Sequence, residues 1–215
     1  MNSDKSNMFT KQIPEIPKNT LALFDFDGTI TFRDSLIDFI KFAVGYSRFL
    51  RGILLLSPVI FAYKLKTLPN WKAKEAVLTH FFGGWNSKLF DEKAMQYGSR
   101  KLPDIVRKVA FERLLFHKDA GHEIVIVSAS IENYLKHWCK KYDFGLIATK
   151  LEVVDSKITG RISGKNCYGA EKIKRIKERL NLAHFESIYA YGDSPGDFDM
   201  QRLANEKYYR WKKMA

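Results

Sequence analysis

The sequence predicts an α/β fold: a parallel sheet flanked by helices, with an all-helical segment inserted after the first strand. Three observations lead there. Apolar runs at 21–24, 124–127 and 187–191 read as short strands buried on both faces, the kind that parallel sheets contain. Each run breaks, at its carboxyl end, into small polar or acidic residues: Asp25 and Asp27, Ser128, and Asp193 with Asp197. Between the first run and the second, the chain shows helical spacing and no convincing alternation.

Composition sets the bounds. A chain of 215 residues can bury a substantial core. Its 46% hydrophobic and 28% charged residues exclude a disordered polymer. The net charge of +12 favours an acidic partner: a phosphorylated metabolite, nucleic acid or an anionic membrane surface. Cys139 and Cys167 lie far apart without metal-ligand spacing, which predicts free thiols in a reducing cytoplasm. Residues 1–18 are polar, carry Pro14 and Pro17, and lack the apolar stretch of a secretory signal; they read as a flexible leader.

The first strand, Leu21-Ala-Leu-Phe24, runs into Asp-Phe-Asp-Gly28. Side chains alternate along a strand, so Asp25 and Asp27 start on the same side. Gly28 permits a sharp exit from the sheet. Two carboxylates at the end of a buried strand are costly unless a cation offsets them, and Mg²⁺ completed by a substrate phosphate is such a cation. Ligands of open α/β sheets sit at that edge. An ordinary polar turn accounts for Asp-Phe-Asp-Gly taken alone.

Leu36, Phe39, Ile40 and Val44 have helical spacing behind Asp34 or Ser35 as N-cap. Further helices are predicted at 72–82 and 104–116, separated by Gly83-Gly84 and by Leu102-Pro103. The expected division is therefore a core of 19–34 and 116–215 with a helical cap of 35–115. Within the cap, the charge-free run 52–63 is too short to cross a bilayer, and Pro58 interrupts it. It reads either as a helix pair buried in the cap or as a segment dipping into a membrane interface, anchored by Arg48, Arg51, Lys64 and Lys66.

The second strand, Ile124-Val-Ile-Val127, delivers Ser128 to the same edge, although Ser128 also suits the cap of a helix at 132–141. A third strand is predicted at 144–150, then a hairpin over 151–163 turning at Asp155-Ser156. The helix 169–180 is strongly basic; Lys172, Lys174, Arg175, Lys177 and Arg179 are each most simply a solvated face. The strand 187–191 ends in Gly192-Asp-Ser-Pro-Gly-Asp197, and a further strand at 207–211 closes the chain.

Alternation of strand and helix brings these strand ends to one edge. There, carboxylates offset by Mg²⁺ and a lysine ammonium make a site for a phosphate dianion. Lys165 and Lys172 both qualify as that lysine.

The pattern Asp25-Phe-Asp-Gly-Thr29, Ser128, Lys172 and Gly192-Asp-Ser-Pro-Gly-Asp197 resembles the haloacid-dehalogenase superfamily, whose core is Rossmann-like. A helical insertion straight after the first motif is similar to its phosphoserine-phosphatase-like branch, and so is Cys-Tyr-Gly-Ala-Glu-Lys-Ile173, which favours Lys172 over Lys165. The resemblance implies a phosphomonoester hydrolase in which Asp25 is the nucleophile and Asp27 the general acid and base. Thr29, Ser128 with the adjoining Ala129, and Lys172 would hold the phosphate and the acid. Mg²⁺ would be bound by Asp25, the Asp27 carbonyl, Asp193 and Asp197.

Asp34 stands where phosphoserine phosphatases carry the carboxylate that binds the substrate amine. No cap arginine matches the one that binds the serine carboxylate. The apolar cap segment, Trp71, Phe81-Phe-Gly-Gly-Trp85 and Lys207-Tyr-Tyr-Arg-Trp211 look more like bacterial phosphatidylglycerophosphate phosphatases. That resemblance implies an anionic lipid headgroup as substrate and a cytoplasmic protein peripheral to the inner membrane face. The competing class is a basic nucleic-acid-binding module, disfavoured because no such motif is present.

Overall fold

A computed structural model describes residues 19–214; the leader expected over 1–18 lies outside the described residues. The α/β expectation is met by a seven-stranded sheet of order β4-β3-β2-β1-β5-β6-β7. Its strands are β1 (Thr20–Phe24), β2 (Glu123–Ile131), β3 (Gly145–Val154), β4 (Lys157–Ser163), β5 (Ser187–Gly192), β6 (Glu206–Tyr209) and β7 (Lys212–Lys213). Pairing is parallel from β3 through β6, while β4 and β7 add antiparallel edges.

β1 lies at the centre because its four apolar side chains, Leu21 to Phe24, are buried on one face or the other. Ala22 and Phe24 join the cluster on one side of the sheet, Leu21 and Leu23 the cluster on the other. β2 repeats the division with Ile124 and Ile126 against Val125 and Val127. Each fully buried aliphatic or aromatic side chain stabilises the fold by about 1.5–3 kcal/mol. The chain leaves β1 for β2 on one side and later returns to β5 on the other. The sheet therefore reverses direction beside β1, and a crevice opens at its carboxyl end.

The helices are α1 (Ser35–Val44), α2 (Tyr46–Leu55), α3 (Ser57–Lys64), α4 (Asn70–Phe82), α5 (Ser87–Arg100), α6 (Lys108–Asp119), α7 (Glu132–Tyr142), α8 (Ala170–Arg179) and α9 (Phe198–Gln201). Asp34 caps α1 by accepting from Ile37 N at 2.9 Å. The helix expected at 104–116 starts later. Pro103 opens a short turn over Leu102–Ile105 instead, and Thr31 then bridges Val106 where the chain returns from the helical segment.

The segment 49–66 does form a helix pair, with Pro58 in the first turn of α3, but the pair is not buried. Only Phe49 and Gly52 of α2 are buried and no residue of α3 is, whereas Leu54, Leu55 and Phe61 stand 74%, 70% and 64% exposed. The strand expected at 144–150 and the first arm of the expected hairpin are one continuous strand, β3, which turns into β4 where expected, with Asp155 and Ser156 both at positive φ. Its outer end is tied to the helices: Gly84 N donates to Ile158 O, Ile158 N to Trp85 O, and Ser87 N to Ser156 O. β7, a two-residue strand doubling back on β6, has no apolar pattern that announces it.

Candidate active site

Asp25 follows β1, and its amide still pairs with Tyr191 O of β5 at 2.9 Å, so its side chain emerges at the crevice. The next residues wind into a tight turn over Phe26–Ile30 in which Gly28 sits at φ +84°. That turn brings Thr29 Oγ1 within 3.3 Å of Asp25 Oδ2 and 3.2 Å of Asp193 Oδ1.

From the first turn of α8, Lys172 Nζ reaches Asp25 Oδ1 at 2.5 Å and Asp197 Oδ1 at 2.6 Å. Lys172 is thus the one member of the basic helix face that turns wholly inward, fully buried beneath the crevice. Lys165 does not reach the carboxylates; it lines a neighbouring cavity with Trp71. Asp197 Oδ2 accepts from Ser194 Oγ at 2.8 Å and from Ser194 N at 3.1 Å, which fixes the loop after β5.

Asp27 faces a different set of groups. Its Oδ1 accepts from Ser35 N at 2.7 Å and its Oδ2 accepts from Ser130 Oγ. Ser130 is available because β2 bulges between Ser128 and Ile131, which brings Ser128 Oγ to accept from Ser130 N at 2.9 Å. Ser128 therefore does not cap α7, whose N-cap residue is Ile131. Asp25, Asp27, Asp34, Ser128, Ala129, Lys172 and Asp197 all line one cavity of about 180 Å³; Asp193 is not on that lining but is joined to Asp25 through Thr29.

Burial raises both leading carboxylates, against different neighbours. Burial pushes Asp25 up to about 7, Lys172 opposing the shift and Asp197 adding to it. Burial also raises Asp27, reinforced by Asp34 and resisted by the hydrogen bonds from Ser130 and Ser35. Burial raises Asp193, with Asp197 adding to the shift. Burial alone would lower Lys172, but the paired carboxylates outweigh it and hold the ammonium charged.

One oxygen from each of Asp25, Asp193 and Asp197 lies within 4.8 Å of the others. Hard oxygen donors so grouped fit a divalent cation such as Mg²⁺. The Asp27 carboxylate is outside this group.

Two participants carried no usable sequence signal. Lys74, an internal residue of α4, donates to Ala129 O at 2.9 Å and to Asn166 Oδ1 at 3.1 Å. Tyr168 lines the same cavity from the loop before α8. Ser130 was findable, since it sits one residue from Ala129 in Ser-Ala-Ser.

The model of the haloacid dehalogenase-like hydrolase family matches residues 22–202. The chain is 32% identical over 192 residues to protein CicA of Caulobacter vibrioides, an alignment covering 88% of this chain and 85% of that one. A Bordetella pertussis Tohama I protein of unknown function superimposes with a TM-score of 0.76 at 21% identity, over 89% of each chain. A phospho-aspartyl intermediate analogue of phosphoserine phosphatase superimposes with a TM-score of 0.59 at 20% identity, over 89% of this chain and 86% of that one. At such identities the two superpositions describe a shared fold.

Proposed function

The chain belongs to the haloacid dehalogenase-like hydrolases, and from that premise we propose that it is a Mg²⁺-dependent phosphomonoester phosphatase acting through an aspartyl-phosphate. The observation that carries the reading is the Lys172 ammonium held between Asp25 and Asp197, with Thr29 joining Asp25 to Asp193. That arrangement offers a carboxylate nucleophile beside fixed positive charge, and phosphoryl transfer needs little else.

An Asp25 carboxylate oxygen attacks phosphorus, and the bond from phosphorus to the leaving oxygen breaks. Asp27, its pKa raised, gives its proton to that oxygen. The Asp27 carboxylate then takes a proton from water as the water oxygen attacks phosphorus, which releases inorganic phosphate and restores Asp25. Ser35 N and Ser130 aim Asp27, while Ser128 and Lys172 are the donors that face the phosphate oxygens. Bound at Asp25, Asp193, Asp197 and the Asp27 carbonyl, Mg²⁺ would keep Asp25 ionised and offset phosphate charge.

The substrate proposed is an anionic lipid headgroup phosphate of the phosphatidylglycerophosphate type, met by a cytoplasmic protein at the inner membrane face. None of the helices among the described residues is long and apolar enough to cross a membrane. Support comes instead from α2 and α3, whose exposed Leu54, Leu55 and Phe61 lie between Arg48, Arg51 and Lys64, an apolar surface with a basic border.

Phosphate release from an aryl phosphate, from phosphoserine and from phosphatidylglycerophosphate, with and without Mg²⁺, tests both levels. Release that EDTA abolishes, Mg²⁺ restores and Asp25→Asn eliminates is expected. Release indifferent to all three would sink the mechanism. Activity confined to water-soluble esters such as phosphoserine would retain the mechanism and sink the lipid substrate.

A further inference from the structure

Asp27 ends a buried chain of hydroxyls. Its Oδ2 accepts from Ser130 Oγ, Ser130 Oγ lies 3.3 Å from Ser35 Oγ, and Ser35 Oγ lies 2.9 Å from the Tyr134 hydroxyl. The links come from separate elements: β2 carries Ser130, α1 begins at Ser35, and α7 holds Tyr134. All three side chains are buried.

The sense of the chain follows from counting hydrogens. A hydroxyl has one to give. With Asp27 ionised, Ser130 gives its hydrogen to the carboxylate, so toward Ser35 it can only accept. Ser35 therefore donates to Ser130 and accepts from Tyr134. Every link points at Asp27, and successive bonds of one sense strengthen one another. The backbone of Ser35 is fixed as well: its N donates to Asp27 Oδ1 at 2.7 Å, and its O accepts from the Tyr97 hydroxyl at 3.1 Å. Each Asp27 oxygen thus has a donor from the protein, and the side chain still lines the cavity.

Packing gives no reason for the Tyr134 oxygen. Its ring meets Phe39 and Tyr97 at centroid separations of 5.1 and 5.3 Å, contacts that a phenylalanine would keep. Burying a hydroxyl costs free energy that its hydrogen bond at best offsets, so a purely structural position has no need of one.

We infer that Tyr134 and the Ser35 hydroxyl are positioning residues for proton transfer by Asp27, acting through Ser130, and that they set how basic a leaving oxygen the enzyme can expel. The inference rests on the phosphatase reading and adds to it a preference among esters. As the bond from phosphorus to the leaving oxygen breaks, the Asp27 proton passes to that oxygen, which departs as a neutral alcohol. The Asp27 carboxylate left behind is the form that the chain is aligned to hold. An ester whose oxygen departs readily as an anion draws little from this arrangement.

The test compares phenyl phosphate with 4-nitrophenyl phosphate. Phenoxide is about as basic as a tyrosine side chain, of pKa about 10, whereas the nitro group makes its phenoxide a far weaker base. The quantity read is the ratio of kcat/KM for the phenyl ester to kcat/KM for the nitrophenyl ester, in which the fraction of folded enzyme cancels. In Tyr134→Phe and in Ser35→Ala the ratio is expected to fall at least fivefold. The double variant is expected to fall no further than the lower of the two, because Tyr134 acts through Ser35. A smaller fall in either single variant overturns the inference, and so does a double variant in which the two losses multiply, as independent packing defects would. A ratio lowered in Asp27→Asn but not in the other variants spares the phosphatase reading and removes the chain. An unaltered protein that releases phosphate from neither ester removes the phosphatase reading itself.

Discussion

A β-carbon added to Gly28 would lie 2.3 Å from Asp193 Oδ2, at a backbone φ of +84°. The turn after the first strand is thus fitted against the loop after the fifth strand with no room for a side chain. Gly28→Ala must push Asp193 away from Thr29 or open the turn that carries Asp25 and Asp27. Backbone strain of about 1–2 kcal/mol is expected in urea titrations. A displacement of about 1 Å at the reacting groups is expected to lower kcat by roughly 10²-fold. Gly45 has a similar φ of +81° but nothing within 4 Å of its added β-carbon, so Gly45→Ala should show the strain and keep full activity.

Removing the buried ammonium should be costly to the fold as well as to the chemistry. Lys172→Met leaves Asp25 and Asp197 facing one another without their shared cation. Breaking a buried ion pair from one side costs about 3–5 kcal/mol. The shift in urea midpoint at constant slope measures it, and a loss under about 1 kcal/mol would contradict the buried bridge. Lys172→Arg should fail to rescue, because contacts of 2.5 and 2.6 Å leave no space for a guanidinium.

Acid sensitivity is predicted from a site away from the chemistry. His117 is buried, with Nδ1 2.7 Å from His122 Nδ1 and Nε2 2.9 Å from the Tyr191 hydroxyl. Burial, reinforced by His122 and Arg113, pushes it down to about 3. Between that value and the unfolded value near 6.5, the unfolded chain binds a proton that the native protein refuses. Stability from this group is therefore fully present above about pH 6.5 and is lost as pH falls toward 3. Unfolding free energy should drop by about 2 kcal/mol between pH 7 and pH 5 from His117 alone. His117→Gln should flatten that slope, as urea titrations at the two pH values would record.

The exposed face of α2 and α3 predicts a surface effect without a folding effect. Leu54→Asp with Phe61→Asp should weaken cosedimentation with phosphatidylglycerol vesicles at least tenfold. Because both side chains already face solvent, stability should stay within about 0.5 kcal/mol. Equal binding before and after the substitutions would detach this face from any membrane role.

The strands were legible because runs such as Leu21–Phe24 combine apolar side chains with an abrupt polar stop, and a parallel sheet needs both. The grouping of Asp25, Asp193 and Asp197 followed from those stops, since strand ends of one direction share an edge, whereas the choice of Lys172 over Lys165 came from the resemblance of 167–173 to a family motif. The hairpin at Asp155-Ser156 was legible from turn chemistry. Lys74 was not, because an internal lysine of a helix looks the same in sequence whether it meets solvent or a carbonyl across a cavity. The sequence left the 52–63 run open between a buried helix pair and a surface segment, because an apolar run fits either and only the packing decides which neighbours arrive to cover Phe61. The bulge that presents Ser130 to Asp27 depends on a register shift against β3 that no local pattern encodes.

The lacing of the β3–β4 hairpin to Gly84, Trp85 and Ser87 bears on modularity. Thr79 of α4 also lies against Gly160, whose added β-carbon would be 2.3 Å from its Cα, and Ile162 N donates to Glu75 at 2.8 Å. Two stretches distant along the chain thus form a single mechanical unit above the crevice. A chimera that transplants the helices alone from a relative would import half a clasp, and swapping substrate preference between such enzymes requires moving the hairpin together with them.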